Sequence, residues 1–144
     1  MLSFAIIMIL AGIGIPIMAA MTSSLGKHLS SPVAASAFAF FIAFCISLLS
    51  LMIADKSFVK QIPSAPKYLF IAGAFVAFYV LSVSFVAPHF GIGNAIFFVL
   101  LGQLFSAAII DHYGLFGAQI NHLSVMRISG IFVMIFGVWL TQNA

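Results

Sequence analysis

The stretch "APHFGIG", Ala87–Gly93, decides how many times this chain crosses a membrane. It is flanked by "YLFIAGAFVAFYVLSVSFVAP", ending at Pro88, and "IGNAIFFVLLGQLFSAAII", beginning at Ile92. Read through as one helix, Tyr68–Ile110 is far longer than the roughly 20 residues that cross a bilayer. Pro88 stops a helix, and Gly91 with Gly93 tolerates a tight turn. Two spans, 68–88 and 92–110, joined by a hairpin are therefore expected. A re-entrant segment over 92–110 is the alternative.

The rest of the chain fits the same solvent. Its 144 residues are 65% hydrophobic and 5% charged, where a soluble domain carries about 25% charged residues. Three more runs are long and apolar enough to span: residues 2–21, 32–54 and 125–142. The first lacks the positive region that precedes a signal peptide's apolar core, so a retained span is expected. The reading is an all-α polytopic membrane protein, one transmembrane domain over residues 1–144 with five helices. Nucleic-acid binding is excluded, because five scattered basic residues make no patch. Cys45 is the single cysteine, so no intrachain disulfide forms.

Orientation follows from the short loops, where Lys and Arg favour the cytoplasmic side. With five spans, Lys56, Lys60, Lys67 and Arg127 share the side of the N-terminus, and Lys27 stands alone opposite. The N-terminus is expected in the cytoplasm. The C-terminus, with its uncharged "TQNA" tail, is expected outside, and Trp139 near that end reads as an interface anchor.

Small residues four apart suit close helix packing in lipid: Ala35, Ala39 and Ala43; Gly73 and Ala77; Gly102 and Ser106. Gly12, Gly14 and Pro16 interrupt the first run. They read as a packed kink, or as a hinge or broken helix beside a cavity.

Polar groups at depth are the candidate contacts for a small molecule. They are Gln103, Tyr79, Ser82, Ser106 and Asn94. An unpaired amide in hydrocarbon costs several kcal/mol, so Gln103 must face a helix, a second subunit or water. Gln103 and Ser106 lie about 60° apart on their helix, and Asn94 falls on its far side, where capping is open to it. The hairpin puts Tyr79 and Gln103 at similar depths. Asp111, at the end of its helix, expects Arg127 as an ion-pair partner. The four histidines read as interfacial loop residues without metal-ligand spacing. No nucleophile with a base, paired carboxylates or phosphate loop is visible, so neither enzymatic activity nor a cofactor is expected.

"GQLFSAAIIDHYGLFG" followed by "LSVMRISGIFVMIFGVWL" resembles the last two helices of the YdcZ family of inner-membrane exporters. That family belongs to the drug/metabolite transporter superfamily. Gly102, Gln103, Asp111, Gly114, Leu115, Phe116, Gly117, Arg127, Gly130 and Gly137 fall on the family's pattern. "AGIGIPIMAAMTSSLGKHLSSPVAASAFAFFIA" resembles its first two helices. Met18 and Thr22 stand where relatives often carry Gln and Asn. The small multidrug resistance relatives use a first-helix glutamate, and this chain has no glutamate. The resemblance implies a five-helix unit similar to one inverted half of a ten-helix transporter, in the bacterial inner membrane. It also implies a small-molecule cargo and a dimer or paired subunit with a cavity at the interface. A non-transporting membrane subunit packed on a larger partner is the alternative.

Overall fold

The computed structural model describes residues 2–54 and 56–142. Asp55 and the last two residues of the uncharged tail lie outside that range. Five helices are long and apolar enough to cross a membrane. They are α1 (Leu2–His28), α2 (Pro32–Ile53), α3 (Ala72–Phe90), α4 (Ile92–Tyr113) and α5 (Val125–Gln142). Short 3-10 helices, Lys56–Ser64 and Lys67–Ile71, join α2 to α3, and a 3-10 turn, Leu115–Gly117, follows α4. The chain divides into two compact units, Met1–Ile92 and Gly93–Ala144.

In the first unit α1, α2 and α3 pack on one another. Their core is built from small and β-branched residues: Ala19, Ala35, Ser36, Val80, Val83, Ser84 and Ala87. Small side chains let helix backbones approach, which is how helices associate where lipid is as apolar as they are. Ser84 Oγ donates to the Val80 carbonyl at 2.7 Å. Ser36 Oγ, 2.9 Å from the Pro32 carbonyl, also meets Ser84 Oγ at 3.1 Å. This is a buried polar link between α2 and α3.

The structure corrects the expected end of the first helix. "TSSLGKH" reads as a turn, yet α1 continues through it to His28. Thr22 Oγ1 returns its proton to the Met18 carbonyl at 2.8 Å, so it enters the interior satisfied. Thr22 and Ser23 are buried, and Gly26 lies against α2, where a β-carbon would stand 3.2 Å from Pro32 Cα. Lys27 and His28 occupy the last turn, where cations suit the helix dipole. The actual turn is Leu29–Ser31. Ser31 then caps α2 by accepting from the Ala34 N–H at 3.2 Å, with Pro32 at the first helical position.

Two further boundaries move. Residues 68–71 are 3-10, so the α-helical part of the third span starts at Ala72. Pro88 does not end α3 but lies inside its last turn. The helix runs on to Phe90, and Gly91 alone, with φ 87°, separates it from α4. The Gly91 N–H donates to the Ala87 carbonyl at 3.0 Å. A proline so near a helix end forfeits one bond, whereas that backbone angle asks for glycine.

In the second unit α4 and α5 run antiparallel and are tied at both ends. Arg127 Nη2, near the start of α5, donates to Asp111 Oδ2, near the end of α4, at 2.6 Å. Gln142 Nε2, at the end of α5, donates to Asn94 Oδ1, at the start of α4, at 2.9 Å. α4 extends to Tyr113, three residues past its expected end. The chain then turns at Gly114, whose φ is 62°. A β-carbon there would stand 2.7 Å from Ile120 Cγ1. The loop folds back through Asn121 N–H to the Asp111 carbonyl at 2.8 Å and Leu123 N–H to His112 Nδ1 at 3.2 Å. Ser124 Oγ caps α5 by accepting from the Arg127 N–H at 3.1 Å. His28, His89 and His112 thus lie in the last turns of helices rather than in loops.

Candidate functional site

The candidate polar residues fall in both units. In the first, Tyr79 of α3 carries a buried hydroxyl with no hydrogen-bond partner among the described residues. Ser82, half-buried, follows about 60° around the same helix. A hydroxyl at depth with nothing to bond is costly, so Tyr79 Oη has an open position for a water or a polar atom of a ligand.

Between α1 and α2 lies a groove of about 450 Å³. Met18 and Thr22 line it, with Ala35 and Phe38 opposite. Where the resemblance leads one to expect amides, this wall is a thioether and a hydroxyl already bonded to its own backbone. Upstream, α1 is helical through Gly12, Gly14 and Pro16 without a break. A β-carbon on either glycine would have no neighbour within 4 Å, so neither serves close packing inside the chain.

In the second unit Gln103 and Ser106 are exposed on α4. Gln103 bonds to no described residue. Asn94, on the opposite side of the same helix, is committed to α5 through Gln142. The face bearing Gln103 therefore turns away from α5. Asp111 and Arg127 form the ion pair at the far end, each about one-third exposed. One guanidinium nitrogen, Arg127 Nη1, is buried without a partner among the described residues.

A cavity of about 260 Å³ lies between α4 and α5. Phe105, Ala108 and Ile109 wall it on one side and Ile128, Ile131 and Ile135 on the other. No polar side chain lines it, so it is distinct from the polar candidates.

A family model described as "Putative inner membrane exporter, YdcZ" matches residues 3–140. The chain belongs to the YdcZ family. The match takes in all five apolar helices, both units and every polar candidate named above. No curated protein and no solved structure matches the chain.

Two polar partners were not singled out in the sequence. Ser36 carried no distinguishing signal, since serines also occur at Ser47 and Ser50 of the same helix. Gln142 had one. In an antiparallel pair of α4 and α5 the start of one helix lies beside the end of the other, which puts Asn94 beside Gln142.

Proposed function

We propose that this YdcZ-family chain is a small-molecule transporter of exporter type, working as a pair of chains around a cavity at their interface. The observation that carries this reading is the family match over nearly the whole chain. Support comes from polar groups that no described residue satisfies within otherwise apolar helices, Gln103 and Tyr79 Oη. Such groups at depth are kept where a cavity, a cargo or a neighbour meets them. Gln103, Tyr79, Ser82 and Ser106 are the proposed cargo contacts, and Asn94 positions α4 against α5. Gly12, Gly14 and Pro16 form the proposed hinge, the weak point of a helix otherwise built of strong apolar formers. The pair sits in the bacterial inner membrane. The charges of the short loops favour a cytoplasmic N-terminus and an outer C-terminus; a parallel pair keeps that orientation in both copies and an inverted pair reverses it in one.

Purified chain in proteoliposomes tests the reading. Flux of cationic drugs or small metabolites above that of empty vesicles is expected, and Gln103→Ala should lower it severalfold while leaving the fold intact. Folded protein that moves nothing in a broad panel, in either direction, would overturn it.

A second reading has one observation in its favour. The acid among the described residues, Asp111, sits at a helix end and is already paired, so no described carboxylate serves mid-membrane proton exchange. A non-transporting subunit bound to a larger membrane partner fits that absence. Stoichiometric co-purification of such a partner from native membranes distinguishes the two.

A further inference from the structure

Gln103 lies eleven residues from Ile92 and ten from Tyr113, the two ends of α4. At about 1.5 Å per residue that is about 15 Å to either end, which matches half of a hydrocarbon core of about 30 Å. The amide is therefore at the middle of the bilayer, exposed, and turned away from α5. Lipid cannot satisfy it.

The residues sharing its face have a pattern of their own. Ile96, Val99, Ala107 and Ile110 all fall within about 40° of Gln103 around the helix. They stand seven and four residues before it, and four and seven after it. None of the five is buried. The face reads nearly the same in both directions, aliphatic at each end with one amide at its centre. Ser106 and Gly102 flank it with little bulk, and a β-carbon on Gly102 would have no neighbour within 4 Å.

We infer that two copies of this chain meet along this face of α4, with their Gln103 amides hydrogen-bonded to one another at the bilayer midplane. A carboxamide carries two N–H donors and two acceptor lone pairs, so it is complementary to its own copy and still presents an N–H and a lone pair to the cargo it is proposed to contact. Its central position means that the two amides meet whether the copies run parallel or inverted. In the inverted case Val99 faces Ala107 and Ile96 faces Ile110 of the second copy. In the parallel case each faces itself. The inference rests on the proposed pairing of chains and adds which surface makes it.

Disulfide crosslinking in native membranes tests it, in a Cys45→Ala background. Gln103→Cys should give covalent dimers, and Ala108→Cys, buried beside the α4–α5 cavity, should give none. Val99→Cys and Ala107→Cys keep the amide. Mixed, they should crosslink to each other in an inverted pair, and separately to themselves in a parallel pair; either pattern supports the seam. Gln103→Leu should weaken dimerisation in bilayers about threefold to thirtyfold, the span expected for interhelical hydrogen bonds in membranes. A chain that is dimeric by mass yet crosslinks at none of positions 99, 103 and 107 overturns the inference, as does a strictly monomeric chain. Transport without these crosslinks sinks the seam alone. Crosslinks without transport leave the seam and sink the proposed function.

Discussion

A buried hydroxyl in a lipid-embedded bundle must place its proton inside the chain, and Ser36 and Ser84 do so at two levels. Ser84 uses its own helix, and Ser36 reaches across to Ser84. Replacing either by Ala removes the same link without leaving an orphan, because Ser36 can turn to the Pro32 carbonyl and Ser84 keeps that of Val80. Each single change should cost about 1 kcal/mol. The double variant should cost scarcely more than either single one, a non-additivity that thermal unfolding in micelles will read. The Asp111–Arg127 pair is about one-third exposed at a helix end, so Arg127→Gln should cost only about 1 kcal/mol by the same assay. The two polar links differed in legibility. The ion pair was foreseeable because charges are scarce and these two share a membrane side. The serine pair was not, because Ser50 spends its hydroxyl on the Ile46 carbonyl of its own helix, and nothing in the sequence separates Ser36 from it.

At the scale of elements, polarity located the helices well and their ends less well. "TSSLGKH" looks like loop because hydroxyls and a glycine prefer turns, but in α1 Thr22 and Gly26 face α2 and Ser23 is buried. A small residue allows contact there, and a hydroxyl can fold back on its own backbone. Proline and glycine at "APHFGIG" divide the labour differently from the expectation, with the proline tolerated inside the last turn and the glycine making the break. The turn after α4 gives the sharpest test of a single element. Gly114→Ala puts a side chain at φ 62° and drives its β-carbon into Ile120. A loss of about 1–3 kcal/mol is expected, confined to the α4–α5 turn, with amide exchange rising at Asn121 and Leu123. Gly102→Ala, with open space around it, should leave stability nearly unchanged in dilute micelles.

At the scale of the molecule, composition carried most of the reading. Five runs with few charges on an apolar chain leave no soluble alternative, and five apolar helices follow. The destination of the polar groups was less legible, because an amide's need for a partner is visible in sequence but the partner is not. Orientation rests on the four lysines and Arg127. Alkaline phosphatase fused to the C-terminus should be active outside the cytoplasm, and a cytoplasmic reporter there should be silent; the reverse would show that the four-to-one charge bias does not set topology. The helix lengths have a further consequence. α1 has 27 residues and α5 has 18, or about 40 Å against about 27 Å. A single hydrocarbon slab of about 30 Å exceeds α5 by a few Å and falls short of α1 by about 10 Å, which favours a bilayer thinned beside α5 and an α1 that tilts or carries its last two turns into the headgroups. The protein is thus a gauge of bilayer thickness. Its unfolding temperature should peak in phosphatidylcholines of shorter acyl chain and fall in longer ones. Trimming α1 by one turn at its N-terminus should flatten that dependence less than lengthening α5 by one.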